Sequence, residues 1–98
     1  MERETLISIA NELLQPVYEA LKPHYHVELH TNSLMPDYPF YVNVDVKEYN
    51  FRICVVPERG VYVVTKFKPT PIAFPSEFEI TDEAPSKILE YVEHRSRR

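Results

Sequence analysis

Residues 40–67 read FYVNVDVKEYNFRICVVPERGVYVVTKF, and this stretch decides the fold. Phe40, Val42, Val44 and Val46 alternate with Tyr41, Asn43 and Asp45. Phe51, Ile53 and Val55 alternate with Arg52, Cys54 and Val56, and Val61, Val63, Thr65 and Phe67 with Tyr62, Val64 and Lys66. A period of two with one apolar side marks a strand that buries one face. Turn residues fall at the interruptions. Glu58-Arg59-Gly60 reads as a three-residue hairpin loop whose glycine takes the left-handed position, and Lys47 to Asn50 as a four-residue loop. This register sets Val55 opposite Val63, Phe51 opposite Phe67 and Val44 opposite Ile53. It keeps the apolar set of all three strands on one face, which a slip of one residue would undo.

Upstream, Tyr25, Val27 and Leu29 alternate with His26, Glu28 and His30, which predicts a further strand. Before it, Leu6, Ile9, Ala10, Leu13, Val17 and Leu21 recur at helical spacing; Pro16 predicts a kink or restart, and Pro23 an end. Downstream, residues 68–75 are proline-rich and extended, and Glu77-Phe78-Glu79-Ile80 supplies a short edge strand. Thr81 or Asp82 caps a last helix with Ala84, Ile88, Leu89 and Val92 as its apolar stripe. The expected fold is α+β, a single domain over residues 1–98: an N-terminal helix, a four- or five-stranded antiparallel meander and a C-terminal helix. In element order the chain resembles cystatin-like architecture with an added terminal helix. That resemblance concerns order alone and implies no function.

Composition narrows the function classes. The 98 residues are 44% hydrophobic and 27% charged, as expected of one globular core. A net charge of −4 without a basic stripe weighs against nucleic acid, which stays a second alternative carried by Arg95, Arg97, Arg98 and the sheet tyrosines. Cys54 is the only cysteine, so no intramolecular disulfide forms. With an acidic Met1-Glu2-Arg3-Glu4 start and no long apolar run, the expectation is a cytoplasmic protein without a membrane span.

Two constellations carry possible chemistry. His26, Glu28 and His30 share one side of a strand, and imidazoles with a carboxylate suit a divalent transition metal such as zinc, Asp45 being a candidate further ligand. A metal-binding protein or metalloenzyme is therefore the first alternative. Cys54 shares a face with Arg52, whose charge would lower the thiol pKa, but the sequence sets no histidine beside it. One glycine leaves no phosphate-cradling loop. No catalytic residue and no cofactor are assigned, and the expectation leans away from an enzyme.

The stronger oddity is apolar. The register above lines the sheet's back face with rows Tyr41–Val56–Tyr62 and Asn43–Cys54–Val64, beside a charged row Asp45–Arg52–Lys66. Tyr41, Cys54, Val56, Tyr62 and Val64 form too apolar a surface to stay wet. The covers available are the proline-rich segment through Ile72 and Phe74, the terminal helix, or another chain. Leu34, Met35 and Tyr38 make the loop over 32–39 apolar as well, which suits either a binding loop or a plug for one end of the core. The functional expectation is a non-catalytic protein-interaction or assembly domain, a homodimer joined through the back face.

Overall fold

Helix α1 (Arg3–Leu21) opens the chain in the computed structural model, which describes residues 3–30, 41–68 and 75–96. Its buried residues Ala10, Leu14, Val17 and Leu21 follow the four-three-four spacing of a single helical stripe. Leu14 is the fully buried member, and Leu13, expected in that role, is only half-buried. The helix runs through Pro16 without restarting, and Pro16 lies exposed on the outer side. Five strands follow: β1 (His26–His30), β2 (Tyr41–Val46), β3 (Tyr49–Val56), β4 (Val61–Lys68) and β5 (Ser76–Glu79). They form one antiparallel sheet in chain order, so every link is to the next neighbour. Helix α2 (Ala84–Ser96) closes the described chain, with Pro85 in its first turn, where no helical donor is required.

Both turns of the central meander differ from the sequence expectation. Val46 pairs with Tyr49, so the β2–β3 loop is the two residues Lys47 and Glu48, with Lys47 in the left-handed region at φ 57°. Tyr49 extends the alternation of Phe51 and Ile53 backwards, and burying its ring lengthens β3. The register moves by two, which preserves the face of every side chain. In the β3–β4 hairpin Val56 pairs with Val61, a four-residue loop over Pro57 to Gly60. Pro57 has no N–H and makes a poor ladder partner for Val61. The Arg59 and Gly60 amides instead donate to the carbonyls of Val56 and Pro57, and Gly60 takes φ 67°. Here the shift is one residue, so β4 turns over. Tyr62 and Val64 face the helices, 2% and 0% exposed, while Val61, Val63 and Phe67 take the other face.

The core lies between that sheet face and the two helices. Leu14, Val17 and Leu21 from α1 and Ala84, Ile88 and Val92 from α2 meet Val42, Val44, Phe51, Ile53, Val55, Tyr62 and Val64. The terminal helix therefore covers the front of the sheet and does not cover the back. Among the described residues no helix is long and apolar enough to cross a membrane.

Candidate functional site on the open face of the sheet

The face turned away from the helices carries His26, Glu28 and His30 from β1 and Tyr41, Asn43 and Asp45 from β2. Beside them lie Asn50, Arg52, Cys54 and Val56 from β3, Val61, Val63, Thr65 and Phe67 from β4, and Glu77 and Glu79 from β5. Of the five residues expected to line it, Tyr41, Cys54 and Val56 do so. Tyr62 and Val64 belong to the core, for the register reason given above.

A stacked array crosses the first four strands. The His30 ring lies on Tyr41, 4.7 Å between centroids with planes 19° apart. The Arg52 guanidinium sits 4.5 Å from the Tyr41 ring on one side and 4.6 Å from the Phe67 ring on the other. Register produces this sandwich. Tyr41 pairs with Cys54, which leaves Arg52 one diagonal step away. On the opposite side, Phe51 pairs with Lys66 and Asn50 with Lys68, so Phe67 is the extra residue of a β-bulge. Bulges re-aim side chains, and this one brings Phe67 over Arg52. Phe67 is also 38% exposed, an unusual state for a large apolar residue held in a strand.

The charged row expected at Asp45 and Arg52 is replaced by an amide network. Asp45 pairs with Asn50, whose side-chain amide donates to Asp45 Oδ1 at 2.8 Å and to Asn43 Oδ1 at 3.0 Å. Near the other edge one Arg59 nitrogen, Nη2, donates to both carboxylate oxygens of Glu77, 2.8 Å to each.

The middle of this face is not wet. Cys54 and Val63 are 8% and 7% exposed in a single chain, although neither belongs to the helix-side core. The expected helix cover is absent there, and the expected contributors Ile72 and Phe74 lie outside the described residues. Leu34, Met35 and Tyr38 of the expected binding loop lie outside them too. Burial raises the Cys54 thiol from 9.0 to about 11, outweighing the opposing pull of Arg52. At neutral pH the thiol stays protonated and shielded, the reverse of an activated nucleophile.

His26, Glu28 and His30 do share one side of β1, and His26 pairs across to Asp45. Their arrangement is linear. The Nε2 atoms of His26 and His30 lie 3.4 and 3.2 Å from opposite oxygens of the Glu28 carboxylate. Residues four apart on a strand are about 13 Å apart at Cα, so the imidazoles flank the carboxylate from two sides and do not converge on one point. Among the described residues no group of three or more His, Cys, Asp or Glu is arranged to hold a metal ion.

Sequence reasoning placed Arg52 on this face but missed Phe67, Val61 and Val63 as members of it. The signal that would have placed them was Pro57, whose missing donor excludes the shorter loop. No family model, curated protein or solved structure matches the chain.

Proposed function

We propose that this domain is a non-catalytic protein-interaction module that docks a partner protein on the open face of its sheet, with Phe67 as the anchor. One observation carries the reading: a β-bulge sets an aromatic ring on the sheet surface, exposed yet fixed by stacking on Arg52. A rigid, half-wet aromatic residue beside an arginine is the composition of an interface hot spot. Farther along the same face, at the hairpin end, half-buried Val56 and Val61 add apolar area, and the rim of the face carries the carboxylates of Glu28, Asp45 and Glu79, with Glu77 held by Arg59. That rim favours a partner with basic residues around an apolar recess. It disfavours nucleic acid. It also disfavours a second copy of the same face, which would bring carboxylates together.

Affinity capture with wild type and Phe67→Asp in parallel tests the proposal, with thermal melting to show that the variant folds. A defined partner that is retained by wild type, binds the purified domain directly and is lost with Phe67→Asp supports docking. The same partners with both proteins would sink Phe67 as the anchor. A wild-type dimer that Phe67→Asp dissociates would mean instead that the open face self-associates.

A further inference from the structure

Strand β1 is an edge of the sheet: β2 lies on one side, and no described strand lies on the other. We propose that this edge pairs antiparallel with β1 of a second copy, about a two-fold axis through Val27, joining two five-stranded sheets into one of ten strands. The idea does not depend on the function proposed for the open face.

An exposed strand edge offers a row of backbone donors and acceptors, and soluble proteins usually guard it with lysine, proline or a bulge. Strand β1 carries no lysine, proline or bulge, and Glu28 is its one carboxylate. Its sequence is His26-Val27-Glu28-Leu29-His30, and its register with β2 is unbroken. The side chains on the open face alternate imidazole and carboxylate, so the edge complements itself. With the axis at Val27, His26 faces the second copy's Glu28, Glu28 faces the second copy's His26, and Val27 faces its own counterpart. Tyr25, just before the strand, then meets Leu29 on the helix side, so these pairs match polar with polar and apolar with apolar.

Other registers do worse. A shift of one residue sets polar side chains against apolar ones and turns one sheet over. An axis at Glu28 opposes two carboxylates. An axis at Leu29 also pairs three residues within the strand, Glu28, Leu29 and His30, but it calls on His30, which already stacks on Tyr41. His26 is the freer imidazole, its side chain 69% exposed against 38% for His30. On the helix side Tyr25, Val27 and Leu29 are only partly buried in one chain, whereas Val42 and Val44 on β2 are fully buried. A second β1 would supply the flank that these three lack.

Sedimentation velocity across the micromolar range should show a reversible dimer for wild type. Glu28→Lys should weaken it about tenfold or more, because the altered pair occurs twice per dimer. Glu28 is exposed, so an unchanged melting curve would show that this variant folds. Register is read by disulfide trapping, with buried Cys54 kept out of the reaction. His26→Cys and Glu28→Cys, mixed and mildly oxidised, should give a mixed dimer, with neither variant linking to itself as readily. A wild-type protein that stays monomeric at high micromolar concentration overturns the proposal. So does preferential self-linking of Glu28→Cys, or a dimer abolished by Phe67→Asp.

Discussion

The Tyr62 hydroxyl donates a 2.5 Å hydrogen bond to the carbonyl of Leu13, linking the start of β4 to the turn of α1 that contains Pro16. Pro16 has no N–H for the Glu12 carbonyl, and its ring crowds the preceding turn. The Tyr62 hydroxyl bonds the neighbouring Leu13 carbonyl, so it fastens this turn to the sheet without replacing the bond that Glu12 lacks. It also explains why a tyrosine occupies a site that is otherwise apolar. Tyr62→Phe keeps the packing and removes the donor, and should cost about 1–2 kcal/mol, read from urea unfolding as a lower midpoint at unchanged slope. A loss below about 0.5 kcal/mol would mean that the bond contributes little beyond its solvated equivalent.

The same burial makes the fold sensitive to alkali. Desolvation raises the Tyr62 hydroxyl above its ordinary value of 10.0, and burial raises Cys54 from 9.0 to about 11. Both groups are neutral when protonated, so folding favours the protonated form. Their contribution is complete below the unfolded-state values and is lost as pH rises, for Cys54 between about 9 and about 11. Unfolding followed from pH 8 upward should show falling stability. Cys54→Ala should flatten the first part of that fall, and Tyr62→Phe the part above the ordinary tyrosine value. Native Cys54 should resist a thiol reagent at neutral pH and react fully in denaturant.

The two turns should respond in opposite directions. Gly60 has φ 67° with open space around an added Cβ, so Gly60→Ala is penalised through the backbone alone, by about 1 kcal/mol. Lys47 holds φ 57° with a side chain that disfavours it. Lys47→Gly should therefore stabilise, by up to about 1 kcal/mol, once strain relief is set against glycine's greater unfolded-state entropy. Paired melting curves check both. Destabilisation by Lys47→Gly would show that the lysine side chain contributes more than its backbone strain costs.

The α+β class, an antiparallel meander of four or five strands and the facing of β1, β2 and β3 were legible because alternation survives errors of two residues. The facing of β4 was not, because there the error was one. Val61-Tyr62-Val63-Val64 is apolar on both sides, so periodicity alone does not orient it, and the loop length had to decide. Lys47-Glu48 lacks the glycine or asparagine that announces a two-residue hairpin. The bulge at Phe67 has no local signature at all. Leu14 was hidden by its neighbour Leu13, either of which fits a helical stripe until the sheet is in place. The Tyr41–Arg52–Phe67 sandwich depends on three of these details together and so emerges only from the folded register.

That sandwich yields the last prediction. Arg52 touches two aromatic faces, and each cation–π contact contributes about 0.5–1 kcal/mol at exposed sites and about 2 when desolvated. A planar guanidinium can lie against two aromatic faces, whereas an ammonium is a compact point charge that cannot. Arg52→Lys should therefore destabilise by about 1 kcal/mol or more although the charge is kept. Phe67→Leu should lose less, because an exposed ring buries little area. If the stack holds Phe67 in place, the double variant should be less damaging than the two losses added, with a coupling of about 0.5–1 kcal/mol. The coupling should persist in high salt, since the guanidinium–ring contact is made by dispersion as well as charge. Additive losses would show that Arg52 and Phe67 are neighbours without a shared interaction, and Phe67 would then lose the rigid support on which its role as an anchor rests.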